Sequence, residues 1–206
     1  AQGLRDDTLV LFCSDNGAHS DISSQAPHRS GKGSYFEGGI REPLVVRWPG
    51  KVEPDSFCDV PVMGIDFFPT FLEAAQVPVP ENKVLDGLSL VPLLTQSGPI
   101  AERTLFWHFP VYLQSYAGKA DDSHDPLFRT RPGSALRQGK WKFHQYFEGG
   151  RLELYDLDAD PGERKNVASL FPEKTTELHQ VMQAWRGELQ APVPTELNPK
   201  FISAEN

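Results

Sequence analysis

Two short stretches of this chain carry residues that could do chemistry together. The apolar run Leu9-Val10-Leu11-Phe12-Cys13 ends abruptly in Ser14-Asp15-Asn16-Gly17, which puts a carboxylate and an amide oxygen at the end of a strand. Oxygen donors of this kind suit Ca²⁺ first and Mg²⁺ second, and suit zinc poorly. In open α/β sheets, ligands bind beyond the carboxyl ends of strands. A short loop later comes Gly31-Lys32-Gly33. Flanking glycines let a backbone approach a ligand closely, and lysine is a compact point charge suited to a tetrahedral oxyanion. Asp15, Asn16 and Lys32 together describe a site where a metal and a cation hold an anion. Each also has a plainer reading. Asp-Asn-Gly makes turns, and a lysine between glycines serves equally as a solvated loop residue.

Other polar residues are weaker candidates. His19 follows the Asp15-Asn16 pair closely enough to reach the rim of such a site, or is a surface loop residue. His108, inside Phe106-Trp107-His108-Phe109, is either a hydrogen-bonded core residue or a pocket residue facing a substrate's leaving group. Arg41, after Gly38-Gly39, reads as a loop-supporting ion pair. The glycine-rich segment is neither a P-loop nor a dinucleotide fingerprint, since neither spacing is met. Asp156, Asp158 and Asp160 start like an EF-hand loop, but Pro161 and Val167 stand where glycine and glutamate are required. A turn is the better reading.

The elements that must position these groups follow from periodicity. Residues 8–13 form a continuous β-prone run, the pattern of a strand buried on both faces. Cys13 within it reads as a buried thiol. Residues 18–34 are a polar loop, 43–48 a second strand, and 65–75 a helix with Asp66 near its start, Pro69 in its first turn and Phe68, Phe71 and Leu72 on an apolar face. Residues 88–95 make one or two helical turns and 105–109 a strand. Residues 114–133 make a long polar loop. From 134 to 156 three β-prone runs are separated by Gln138-Gly139 and Gly149-Gly150, an antiparallel meander. Residues 172–189 form an amphipathic helix with Leu178, Val181, Met182, Trp185 and Leu189 on one stripe, covering a face of that meander. The chain thus divides into an α/β part, residues 1–100, and an α+β part, residues 101–206.

Composition narrows the function. The formal charge of −8 over 206 residues, with no basic run interleaved with aromatics, argues against a nucleic-acid partner. An anion can still bind where a local cation or metal overrides the global field. No stretch approaches the roughly 20 apolar residues of a membrane span. Two cysteines do not make a disulfide framework. The chain opens on Ala1 and enters a strand almost at once, which reads as the middle of a longer protein.

Several motifs occur here in a specific order. Ser14-Asp15-Asn16-Gly17, Gly31-Lys32-Gly33, Glu37-Gly38-Gly39-Ile40-Arg41, Pro43 and Trp48-Pro49-Gly50 come first. Asp66-Phe67-Phe68-Pro69-Thr70, Leu85-Asp86-Gly87-Leu88-Ser89, Leu154-Tyr155-Asp156-Leu157, Asp160-Pro161-Gly162-Glu163 and Asn166 follow. Together they resemble the type I sulfatases, formylglycine-dependent arylsulfatases of the alkaline-phosphatase-like superfamily. The resemblance implies a fold: the C-terminal part of an alkaline-phosphatase-like α/β sandwich, then a small α+β subdomain with an antiparallel sheet and a C-terminal helix. It implies that Asp15 and Asn16 match the family's calcium ligands, and Lys32 its sulfate-binding lysine. The family's nucleophile is a formylglycine made within Cys/Ser-x-Pro/Ala-x-Arg. Neither Cys13 nor Cys58 begins that signature. The resemblance therefore implies a C-terminal portion that needs an N-terminal part of the same protein for turnover. It also implies a sulfate-ester substrate, aryl sulfate or sulfated carbohydrate, and a periplasmic or extracellular location. Two rivals remain at this point: a phosphoester or phosphonate hydrolase of the same superfamily, and a non-catalytic anion-binding fragment or pseudoenzyme.

Overall fold

A computed structural model describes residues 3–19, 22–114 and 128–200. In chain order its elements are β1 (Val10–Cys13), α1 (Glu37–Ile40), β2 (Leu44–Arg47), α2 (Phe67–Ala74), α3 (Val91–Leu94), β3 (Leu105–Phe109), β4 (Leu113–Gln114), β5 (Phe128–Thr130), β6 (Gly133–Gln138), β7 (Trp141–Tyr146), β8 (Leu152–Asp156) and α4 (Pro172–Leu189). They fall into two compact units. The first joins Ala1–Cys13 to Pro43–Arg103, and the second joins Ser14–Glu42 to Thr104–Asn206. The segment carrying Asp15, Asn16 and Lys32 therefore packs with the later half of the chain.

In the first unit, β1 pairs antiparallel with β2, Val10 facing Arg47 and Cys13 facing Leu44. The expectation of a strand buried on both faces is corrected here. Residues of β1 alternate between exposed and half-buried, and Phe12 is 66% exposed. A two-stranded ribbon satisfies one edge of each strand and leaves its faces open. Cys13 is a half-buried rather than a buried thiol, and Cys58 is exposed; both are free.

The helix expected over 65–75 starts at Phe67, because Gly64–Asp66 first makes a tight 3-10 turn. Asp66 organises this junction from a fully buried position. Its carboxylate accepts the amides of Met63 at 2.7 Å and Leu88 at 2.9 Å and pairs with both terminal nitrogens of Arg103. Burial alone would raise its pKa, but Arg103 and the two amides outweigh it and hold the carboxyl below its usual range. Thr70 Oγ1 donates to the Asp66 carbonyl and accepts from the Leu90 amide, tying α2 to the start of α3. The apolar stripe of α2 is only partly covered, with Phe68 and Phe71 exposed. Residues 88–95 hold one helical turn, α3.

The second unit is built on a four-stranded antiparallel sheet in the order β3-β6-β7-β8. The expected meander is β6, β7 and β8. β3 adds an edge strand, with Leu105 opposite Arg137 and Phe109 opposite Gly133. β6 turns into β7 through Gly139, whose φ of +57° suits a residue without a Cβ. On one face, Leu136, Phe143 and Leu154 pack against Leu178 and Met182 of α4, all fully buried. Trp185 stacks flat on Phe106, ring centroids 4.5 Å apart. Leu189 at the helix end is exposed. The expected long loop over 114–133 is shorter, because Phe128–Thr130 is a strand paired with β4. Residues 115–127 of that expectation lie outside the described residues. Among the described residues, no helix is long and apolar enough to cross a membrane.

Candidate active site

Side chains alternate across a strand, so the second face of the sheet carries Ala135, Arg137, Lys142, His144, Glu153 and Tyr155. These would suit solvent, yet all except Arg137 are buried. What covers them is the segment that carries Lys32. Tyr35 packs on Ala135 and Tyr146, and its hydroxyl donates to the carbonyls of Phe109 at 2.9 Å and Gly133 at 3.0 Å. Phe36 lies against His144 and Tyr155. Glu37, 2% exposed, accepts from Lys142 Nζ at 2.8 Å and Arg137 Nη1 at 3.3 Å. Burial alone would raise the Glu37 carboxyl, but Lys142 overcomes that and holds it below its usual range. Arg41 makes a longer ion pair with Glu37 at 3.8 Å, the loop-supporting role expected of it.

The backbone brings the Asp15-Asn16 and Lys32 segments side by side. The Lys32 amide donates to the Ala18 carbonyl at 3.0 Å, and the Gly17 amide reaches the Gly39 carbonyl at 3.3 Å. At Gly17 the approach is so close that a Cβ would collide with the Gly38 carbonyl oxygen. On the other side of Lys32, Arg129 Nη1 donates to its carbonyl at 3.2 Å while Nε holds the Gln114 carbonyl at 2.8 Å. The backbone of Lys32 is thus held on both sides, and its side chain is exposed.

Asp15 is exposed and Asn16 half-buried. Ser14 Oγ donates to the Asn16 carbonyl at 2.9 Å, a local turn that presents the pair. Glu42 lies beside them. Burial pushes its carboxyl up, a hydrogen bond from Ser14 opposes that, and the Asp15 charge adds to the rise. Among the described residues, no group of three or more His, Cys, Asp or Glu could hold a metal. Asp15 and Asn16 are the donor chemistry of a hard divalent cation, but two donors fall well short of the six to eight that calcium takes.

His19 is half-buried, and its carbonyl accepts the amides of Ile22 and Ser23. Both ring nitrogens of His108 are engaged within the fold, Nδ1 with Ser134 Oγ and Nε2 with the Pro192 carbonyl, each at 2.8 Å. The Asp156 and Asp160 carboxylates cap turns, accepting the Asp158 amide and the Arg164 and Lys165 amides respectively. This agrees with the rejection of an EF-hand.

Sequence reasoning missed Lys142, His144, Glu163 and Arg129. A signal existed for the first two. Polar residues alternate with Trp141 and Phe143 on a strand that lies next to a recognisable motif, and Glu37 and Glu163 both stand inside motifs that carry the resemblance.

A family profile described as N-sulphoglucosamine sulphohydrolase, C-terminal, matches residues 31–191. The chain belongs to the sulfatase family. A sulfatase of Formosa agariphila is 31% identical over 207 residues, covering 93% of this chain and 35% of the relative. Human arylsulfatase A is 32% identical over 220 residues, covering 93% of this chain and 40% of the relative. A structure solved with its substrate D-glucosamine-2-N,6-O-disulfate superposes with a TM-score of 0.66 at 25% identity, covering 95% of this chain and 37% of that one. The chain thus spans little more than a third of the length of the sulfatases it matches. The architecture is the mixed α/β, antiparallel-sheet and C-terminal-helix arrangement of the alkaline-phosphatase-like fold.

Proposed function

We propose that this chain supplies the C-terminal share of a sulfatase active site that hydrolyses sulfate esters. The observation that carries the reading is the pinning of the Lys32 amide to the Ala18 carbonyl, three residues beyond Asp15, in a chain of this family. A sulfate ester bears its negative charge on peripheral oxygens. An exposed lysine with a fixed backbone can neutralise that charge and stabilise it further as the ester bond breaks. Asp15 and Asn16 would contribute two ligands to a calcium ion, or to magnesium as the second choice, and the remaining ligands would come from sequence outside this chain. The metal would supply charge neutralisation at sulfur's oxygens. The formylglycine nucleophile would come from an N-terminal part of the same protein. Residues 1–100 would then complete a catalytic domain and 101–206 a subdomain. His19 remains a rim candidate. His108 reaches a leaving group only by giving up its bond to Pro192. The substrate class is an aryl sulfate or sulfated carbohydrate, and the location proposed is periplasmic or extracellular.

The test uses the full-length protein with 4-nitrophenyl sulfate. Lys32→Ala should lower kcat/KM by about 100-fold or more, the scale of a lost transition-state charge contact. Near-normal kinetics would return Lys32 to a solvated loop. Residues 1–206 alone should show no turnover even with added calcium, and a measurable rate from them would place the nucleophile within this chain.

A further inference from the structure

Lys32 stands on a loop whose two feet meet. The Gly38 amide donates to the Arg29 carbonyl at 3.0 Å, closing the loop at its neck. One residue from elsewhere in the chain contacts both feet. The backbone carbonyl of Glu163 accepts from Arg29 Nη1 at 3.1 Å, and its carboxylate Oε2 accepts from the Glu37 amide at 2.5 Å. The other carboxylate oxygen lies 3.2 Å from His144 Nε2 and 3.6 Å from Lys142 Nζ. Lys142 in turn donates to Glu37. Glu163 and Lys142 have no solvent exposure at all.

Two features indicate that Glu163 is kept for its side chain. Its φ is +51°, the left-handed region where glycine sits without strain and a glutamate does not. A buried ion cluster also seldom stabilises a fold better than apolar residues of the same volume would, whereas it does hold groups in one geometry. The sheet already has its apolar core on the α4 face. The ionic face adds a fixed position for whatever lies on it, and what lies on it is the Lys32 loop.

We propose that Glu163 is a positioning residue for Lys32, riveting both feet of its loop to the C-terminal sheet. The role rests on the sulfatase reading of Lys32 given above. Glu163 touches no substrate; it acts by fixing where the lysine's backbone stands. The chemical consequence is specific. Loosening the rivet lets the ammonium group wander from the position where it meets the ester's charge, so kcat falls more than KM rises.

The experiment is a double-mutant cycle in the full-length protein with 4-nitrophenyl sulfate, combining Lys32→Ala with Glu163→Gly. Glycine deletes the side chain while relieving the left-handed backbone, so folding is the least disturbed. Lys32→Ala should cost about 100-fold in the parent but less than about 10-fold in Glu163→Gly, because neighbouring groups that act together are not additive. Leu178→Ala, a core change on the opposite face, lowers stability without touching the loop. In that background Lys32→Ala should still cost about 100-fold. Should Glu163→Gly not fold, Glu163→Gln takes its place, with a coupling of at least about threefold expected. Amide exchange gives a second readout: in the Glu163 variant, amides 31–36 should exchange at least about tenfold faster while those of β7 do not change. Equal cost of Lys32→Ala in every background overturns the positioning role and leaves the sulfatase reading standing. A Lys32→Ala variant with normal activity overturns the sulfatase reading of Lys32, and the positioning role with it.

Discussion

The sheets of the two units treat their apolar residues in opposite ways. In the second, a four-stranded sheet is covered on both faces, by α4 through apolar side chains and by the Lys32 segment through aromatic and ionic ones. In the first, a two-stranded ribbon exposes Val10, Phe12 and Val45, and α2 exposes Phe68 and Phe71. Large apolar residues left open in this number mark a surface that another part of a protein covers. The second unit's sheet has cover on both faces from its own unit, and the first unit's ribbon does not. The chain spans little more than a third of the length of the sulfatases it matches.

The largest test of this contrast is Lys142→Ala. It leaves Glu37 and Glu163 buried without their shared cation, and should cost the second unit about 3–5 kcal/mol, the scale of a broken buried pair. Urea denaturation followed by residue-resolved amide exchange checks this. Equal loss in the first unit would show that the two do not unfold separately.

Acid should separate the units next. Glu37 and Glu163 in the second unit are held below the ordinary glutamate value of 4.5, each because Lys142 overcomes the burial that would raise it. Asp66 in the first is held below 3.8 by Arg103 and two amides, again against burial. A carboxyl with a lowered folded pKa contributes stability that is complete above its unfolded pKa and is lost as pH falls through its folded pKa. The contribution of these three carboxyls to the urea midpoints should therefore be constant near neutrality and fall below about pH 4.5, that of Glu37 and Glu163 beginning to fall at a higher pH than that of Asp66. A Glu37→Gln variant with an unchanged acid limb would remove Glu37 from this account.

The smallest effect is expected at Phe12→Thr. An exposed β-branched replacement on an open ribbon should change stability by no more than about 0.5 kcal/mol. Its effect should appear in solution behaviour instead, as less association of residues 1–206 by light scattering. A loss comparable with Lys142→Ala would mean that Phe12 is packed and that the contrast between the units is wrong.

Much of the second unit was legible in the sequence. Gln138-Gly139 marked a hairpin, and the stripe through Leu178 and Met182 gave α4 almost residue for residue. The other face was not legible. Lys142, His144 and Glu153 alternate with hydrophobic residues as solvent-facing side chains do, and only a long-range partner buries them. Glu37 is more than 100 residues from Lys142, a separation that local periodicity does not reach. The first strand was misread for a related reason. An apolar run reports that a strand is built to be buried, whereas burial depends on which other segments are present. Of the candidate site, Asp15, Asn16 and Lys32 stood out through glycine and strand-end chemistry. The rivet at Glu163 did not, because its part is played by a side chain in a turn.

If Lys32 holds an anion as proposed, the double hold on its backbone bears on the entropy of that capture. With its amide bonded to Ala18 and its carbonyl to Arg129, the residue gives up its main-chain freedom, worth about 1–2 kcal/mol per residue, when the chain folds. On the proposed sulfatase reading, an arriving sulfate would have only side-chain torsions left to freeze.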